Sequence, residues 1–339
     1  MNVLQFTVII PVYNAVSTLS DCLESIFSNQ EISYEVIVVN DASTDNSMSI
    51  AKKFPCLIVP CDRNSGPAVA RNHGASHAQG EFLAFTDADC TVPSDWLKKF
   101  YRVFLNNNNI LAISGGYSKN LSKGFISQFQ FRTLEYRQMF FPSFIESSIS
   151  SNFAVRKRIF DKVGGFPKYF RRSDLKREHP VWGNEDEELG FLISREGLHG
   201  VRWLPENGIG HFSRNSWRSY IKQQIFYAKS AVASHFNHPQ LYRSTSNYKR
   251  KEVMWNIGLT TFFYLAILLT PLGFLGWSCI LTAVIFSILT EFQKLRYFYR
   301  SEGTFSFALK GYIALQITYS SWLCGIVRGV VFSKGGFVK

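Results

Sequence analysis

Four short apolar runs, each closing on a polar turn, constrain the fold of this chain most: Phe6–Ile10, Glu35–Asn40, Leu57–Val59 and Glu81–Thr86. Runs this short and unbroken suit strands covered on both faces. Between the first two, Leu19, Leu23, Ile26 and Phe27 recur at helical spacing. A helix is predicted over 67–78, opening at Gly66-Pro67, where proline suits a first turn. Strand–helix alternation with short links predicts a doubly wound, mostly parallel α/β sheet. Such sheets bind ligands beyond the carboxyl ends of their strands, so the strand-end loops are where chemistry is expected.

Beyond residue 254 the pattern changes. Ile257–Thr290 is 34 residues without one charged side chain, and a second uncharged run covers Gly311–Val327. A helical span of a ~30 Å hydrocarbon core needs about 20 residues. The first run therefore predicts a membrane hairpin at about 256–290, turning at Pro271, Gly273 and Gly276. A third span or interfacial helix is expected at about 310–332. Lys249, Arg250 and Lys251 precede the hairpin and Lys294, Arg296 and Arg300 follow it, which places both flanks on the cytoplasmic side. Met1–Phe6 is expected to lead straight into a strand, and no signal peptide is expected there. The organisation expected is an α/β domain over 1–235, a linker over 236–254 and a membrane region over 255–333, with the α/β domain facing the cytoplasm from the cell membrane.

The chain has 339 residues and a net charge of +12, which favours anionic partners. Over half of that excess sits in Arg156–Arg177, where nine Lys or Arg face only Asp161 and Asp174; the stretch reads as a solvated face or as a cationic lip for a membrane surface or lipid diphosphate. The basic residues form no aromatic-interleaved module or recognition helix, so nucleic acid is not the expected partner. Six cysteines show neither a C-x-x-C pair nor zinc spacing, which predicts free thiols in a reducing compartment. No G-x-G-x-x-G follows the first strand and no P-loop occurs anywhere, which disfavours dinucleotide-dependent dehydrogenases and P-loop enzymes.

The strand-end loops are Pro11-Val12-Tyr13-Asn14, Asp41-Ala42-Ser43-Thr44-Asp45 and Asp87-Ala88-Asp89. Two carboxylates in one tight turn repel each other, so burying both calls for a cation between them. Oxygen ligands suit Mg²⁺ or Mn²⁺, which in turn hold substrate phosphates.

Together these segments resemble a family 2 glycosyltransferase of the GT-A fold. The likeness covers about residues 5–235 and rests on V-I-I-P-V-Y-N at 8–14, V-V-N-D-A-S-T-D at 38–45 and N-S-G-P-A-V-A-R-N at 64–72. It continues through G-E-F-L-A-F-T-D-A-D at 80–89, G-G-F at 164–166 and G-N-E-D-E-E-L at 183–189. The resemblance implies that Pro11, Val12, Tyr13 and Asn14 lie against the nucleotide base and that Asp41 accepts a hydrogen bond from a uracil or thymine imide. Arg71 would reach the base or phosphates, Asp87 would contact the donor ribose or link to the metal, Ala88 would lie against the donor, and Asp89 would bind the metal directly. His211 would add a metal or diphosphate contact, unless it is an ordinary interior histidine. Asp45 is expected to cap the following helix. Asp186 matches the family's catalytic base, with Glu185 behind it or at the acceptor. The sequence departs from the pattern at Val16 and at Pro167-Lys168, where acidic residues are common.

The activity implied is inverting transfer of one sugar from a nucleotide-diphosphate donor, UDP-linked, to a hydroxyl of a lipid-linked or envelope glycan, with Mn²⁺ or Mg²⁺. Gln223–Tyr227 does not supply the Q-x-x-R-W of processive synthases. A polyprenyl-phosphate sugar synthase is the alternative, although its ionised acceptor needs no base such as the Glu185-Asp186 pair offers.

Overall fold

The computed structural model describes residues 4–167, 170–171, 185–197, 199–237, 250–269, 277–333 and 337–338. The first half runs β1 (Phe6–Val12), α1 (Leu19–Phe27), β2 (Tyr34–Asn40), α2 (Ser47–Ala51), β3 (Leu57–Pro60), α3 (Pro67–Ser76), β4 (Phe82–Thr86), β5 (Cys90–Thr91), α4 (Trp96–Asn106) and β6 (Ala112–Asn120). It continues with α5 (Phe125–Gln138), β7 (Phe144–Ile145), β8 (Asn152–Arg156), α6 (Lys157–Lys162), β9 (Phe170–Arg171), α7 (Glu185–Ser194) and β10 (Val201–His211). Helices α8 (Trp217–Asn237), α9 (Arg250–Leu269), α10 (Trp277–Glu302) and α11 (Phe305–Ser333) follow, then β11 (Phe337–Val338), which pairs with β9.

Among the described residues, nine strands form the main sheet in the order β3-β2-β1-β4-β8-β6-β10-β5, with β7 on β10. Strands β3, β2, β1 and β4 are parallel, as the alternating pattern predicts. Strand β8 enters antiparallel between β4 and β6, so the sheet is mixed. The strand order reverses between β1 and β4, and it is beyond the carboxyl ends of the strands at such a reversal that sheets of this kind hold ligands in a crevice.

Alternation along each strand builds two cores. Val8, Ile10, Val36, Val38 and Ala84 meet Leu19, Leu23 and Ile26 of α1 and Trp96, Phe100 and Phe104 of α4 on one face. Ile9, Ile37, Val39, Leu83 and Phe85 meet Ala70 of α3, Phe160 of α6 and Leu189 of α7 on the other.

The predicted membrane spans are corrected by the structure: among the described residues no helix is long and apolar enough to cross a membrane. Uncharged is not the same as apolar. The side chains of Asn256, Thr260, Ser287, Thr290 and Gln316 spend their polar groups on one another and on a buried carboxylate. Asn256 Nδ2 donates to Glu291 Oε1 at 2.8 Å, Thr290 Oγ1 to Asn256 Oδ1 at 2.9 Å, and Gln316 Nε2 to Ser287 Oγ at 3.0 Å. Helix α10 runs unbroken from the charge-free stretch into Glu291, Lys294, Arg296 and Arg300, and α11 carries Lys310 and Arg328. The predicted turn at Pro271, Gly273 and Gly276 lies outside the described residues, as do 238–249 of the linker and most of the basic stretch beyond Pro167.

These helices join the sheet domain through a third apolar cluster, in which Ile126 and Phe129 of α5 meet Tyr220, Ile257, Phe298 and Leu315. Helix α8 lies hard on α11, where Trp322 Nε1 donates to Gln224 Oε1 at 3.0 Å. A Cβ on Gly325 would come within 2.5 Å of the Ile225 carbonyl oxygen. Glu302 accepts from Gln128 Nε2 at 2.7 Å and pairs with Arg132 Nε at 2.6 Å, tying α10 to α5.

Candidate active site

The three strand-end loops meet at the crevice. Asn14 takes a left-handed conformation (φ 52°), and its Oδ1 accepts from Thr44 N at 2.8 Å. Val12 points into the core and its carbonyl accepts from Asp41 N at 2.8 Å, whereas Tyr13 stands exposed at the rim. Pro11 closes β1. Asp45 Oδ1 accepts from Ser47 N at 3.0 Å, at the start of α2.

Asp41 is 3% exposed. Its oxygens accept from Ser65 N and Gly66 N, each at 2.8 Å, which clamps the loop leading into α3. Gly66 adopts φ 90°, a conformation glycine takes at little cost. The same helix carries Arg71, also 3% exposed, whose Nη2 meets Asp87 Oδ1 at 2.6 Å and whose Nη1 lies 3.8 Å from Glu185 Oε1. Arg71 therefore sits between the two acidic clusters, with its guanidinium 5.3 Å above the Phe166 ring. Phe166 is held in turn by the Asn72 side chain, whose Nδ2 donates to the Phe166 carbonyl at 2.7 Å and whose Oδ1 accepts from Phe166 N at 2.8 Å. Gly165 precedes it at φ 74°, where a Cβ would lie 2.5 Å from Asn72 Oδ1. The N-S-G-P-A-V-A-R-N and G-G-F segments, far apart in sequence, thus interlock.

Asp89 and His211 come together although 122 positions separate them, and Ala88 is buried in the core beside them. His211 Nε2 faces Asp89 Oδ2 at 3.6 Å. That is long for a hydrogen bond but matches the roughly 3–3.7 Å between two ligands of one small cation with bonds of ~2.1 Å. The His211 Nδ1 edge is occupied by Ser213 Oγ at 3.1 Å, which leaves Nε2 for the cation. A carboxylate and an imidazole so placed fit a divalent ion. Burial pushes the Asp89 carboxyl up, but the facing imidazole outweighs it and holds the acid below its ordinary range.

Asp186 opens α7 beside Glu185, Glu187 and Glu188. Its backbone carbonyl accepts from Ser148 N at 3.1 Å and Ser148 Oγ at 2.8 Å, and Gly190 lets the helix approach the Ser147 backbone. Burial first, then the charges of Glu185 and Glu187, push the Asp186 carboxyl up to about 7, with Arg71 pulling the other way. A carboxylate at about 7 is poised to take a proton at neutral pH. Burial, then the Asp186 charge, also push the Tyr227 phenol of α8 up to about 12. Ser148 had no local signature as a site residue and only tertiary contact reveals it, whereas Phe166 lay in the G-G-F segment with no role of its own until its contact with Arg71.

Residues 7–164 match the profile described as Glycosyl transferase family 2. Glycosyltransferase GlyA of Streptococcus pneumoniae is 34% identical over 207 residues, covering 58% of this chain and 27% of GlyA. The poly(ribitol-phosphate) beta-glucosyltransferase of Bacillus spizizenii is 32% identical over 233 residues, covering 61% of this chain and 35% of that protein. The chain thus spans about a third or less of the length of these two curated relatives. Among solved structures, the mannosyltransferase PcManGT from Pyrobaculum calidifontis, in complex with GDP-Man and Mn²⁺, has TM-score 0.57 and 19% identity, covering 96% of this chain and 87% of that one.

Proposed function

We propose that this chain, whose residues 7–164 match the Glycosyl transferase family 2 profile, moves a single sugar, with inversion, from a nucleotide-diphosphate donor to an acceptor hydroxyl. The observation that carries the reading is Arg71, one buried guanidinium reaching both Asp87 on the donor side and Glu185 beside Asp186. A chain without two-substrate chemistry has no need to tie those carboxylates together at a strand-order reversal.

In this reading Tyr13 and Asn14 face the base. Asp41, with lone pairs beyond those used by Ser65 and Gly66, accepts from the imide of a uracil, which favours a UDP-linked sugar. Asp89 and His211 would hold a divalent cation, Mn²⁺ or Mg²⁺, which would supply positive charge to the diphosphate of the leaving nucleotide. Asp186 removes the acceptor proton while the anomeric bond breaks. The GDP-Man and Mn²⁺ of PcManGT support the donor and cation classes. The poly(ribitol-phosphate) acceptor named for the Bacillus spizizenii relative supports an envelope or lipid-linked acceptor.

The reading extends to the inner face of the cell membrane, through surface contact and not a span. Exposed Trp255, Phe262, Leu265, Ile285, Leu289 and Phe292 on α9 and α10 support it. Flotation of the full chain with anionic liposomes tests that part; a chain that stays at the bottom of the gradient ends it.

A donor panel tests the activity. Purified chain with Mn²⁺ is offered UDP-, GDP- and dTDP-sugars and scored by nucleotide release and thermal shift. Release from one donor class that is lost in Asp186→Asn, with nucleotide binding retained, is expected. Release that survives Asp186→Asn with a polyprenyl-phosphate acceptor would replace the proposal with the phosphate-acceptor synthase.

A further inference from the structure

Beside the cation pair proposed above stands a thiol that the proposed reaction leaves unused. Strand β5 pairs antiparallel with the end of β10, and Cys90 lies directly opposite His211. Directly opposed residues of an antiparallel pair project to the same face, with Cβ atoms ~4.5–5.5 Å apart. The pairing is pinned by Phe212 N donating to the Asp89 carbonyl at 2.9 Å. Cys90 Sγ then lies 3.6 Å from Asp89 Oδ1, while His211 Nε2 lies 3.6 Å from Asp89 Oδ2. One ligand atom each from Asp89, Cys90 and His211 fall within 4.8 Å of one another.

We propose that Cys90 is a third protein ligand of the cation bound here, so that the site takes a borderline, sulfur-tolerant divalent ion of the Zn²⁺ or Co²⁺ class more tightly than Mn²⁺ or Mg²⁺. The proposal rests on the cation reading of Asp89 and His211. A carboxylate pair alone selects hard ions; a sulfur added to carboxylate and imidazole shifts preference towards softer ones. On binding, the thiol proton passes to solvent and the sulfur coordinates as thiolate. The surroundings suit a fixed ligand. Cys90, the first residue of β5, is buried within the core that contains α1 and α4, and His211 is set by Ser213 Oγ and by the Tyr117 ring at 5.1 Å. Tyr117 is itself anchored through its hydroxyl to Ser151 Oγ at 2.6 Å. Cys22, the neighbouring buried thiol, donates to the Asp87 carbonyl at 3.4 Å and stands outside the group; it is the natural control.

The test is a Co²⁺ titration of the full chain, followed by absorption in the near ultraviolet, where thiolate-to-cobalt charge transfer is seen. The band is expected in the wild type and in Cys22→Ser. It is expected to be absent from Cys90→Ser, although equilibrium dialysis shows cobalt still bound. The ratio of Zn²⁺ to Mn²⁺ affinity should fall in Cys90→Ser on the order of tenfold or more. Bound cobalt without the band in the wild type overturns the assignment with no variant needed, as does an unchanged affinity ratio in Cys90→Ser. Failure of the underlying cation reading looks different: neither Co²⁺ nor Mn²⁺ then binds the wild type, with or without UDP.

Discussion

Replacing Asp186 by Asn should stabilise the protein while abolishing transfer, and the stabilisation should depend on pH in a defined sense. The carboxyl is raised from 3.8 to about 7, so its ionised form is disfavoured in the folded state. At about 1.4 kcal/mol per tenfold change, that interval sets a ceiling of about 4 kcal/mol. The group keeps some solvent contact, which screens such interactions, so about 1–2 kcal/mol is the working figure. A raised carboxyl favours the fold fully below the unfolded value near 4, and that contribution is lost as pH rises through about 7. The gain from Asp186→Asn is therefore small at pH 5 and complete at pH 8. At roughly 2–4 °C per kcal/mol for a chain of this size, the variant should melt about 2–8 °C above wild type at pH 8. Calorimetry at both pH values in EDTA reads this directly. A melting gain that is equal at pH 5 and pH 8, or that reverses, refutes the strained carboxylate.

The same carboxyl sets a pH limb: kcat/KM should rise with pH and level off above about 7, since only ionised Asp186 accepts a proton; a flat profile from pH 5 to 9 contradicts it. Arg71→Gln removes the positive charge that pulls Asp186 down, so the limb should move to higher pH and kcat/KM should fall at least about tenfold. Glu291→Ala strips a fully buried carboxylate from Lys294, Asn256 and Tyr319, and urea unfolding should show a loss of about 3–5 kcal/mol. Gly325→Val drives a side chain into the Ile225 backbone, and melting should drop by several degrees with the Trp322 fluorescence changed.

Much of the α/β region was legible because local pattern decides it. A strand covered on both faces shows as an unbroken apolar run, and Ile9 and Ile10 do feed opposite cores. The strand-end rule then pointed to Asp41, which follows β2, and to Asp87 and Asp89, which follow β4. What periodicity does not carry is pairing between distant segments. The antiparallel entry of β8 between β4 and β6, the register that sets Cys90 opposite His211, and the Arg71 link to Glu185 are all long-range choices. Cys90 was visible only as a thiol following D-A-D, with nothing to mark its facing partner. The C-terminal helices misled for a different reason. A residue such as Asn256 or Gln316 counts as uncharged, yet each belongs to a hydrogen-bonded cluster around Glu291. Charge counting treats amides and hydroxyls as hydrocarbon; hydrogen-bond demand does not.

The tether between α10 and α5 bears on any attempt to work with the sheet portion alone. Gln128 and Arg132 spend their donors on Glu302, and six residues after Arg132 the same helix offers Gln138 Oε1 to the Tyr117 amide at 2.9 Å. Tyr117 leans on His211. Cutting the protein ahead of Arg250 would thus discard a buttress as well as a tail, and the loss would be felt as a loosened wall beside the imidazole. A shortened chain that dissolves well and turns over slowly would be showing the mechanics of that strut, with the proposed chemistry intact.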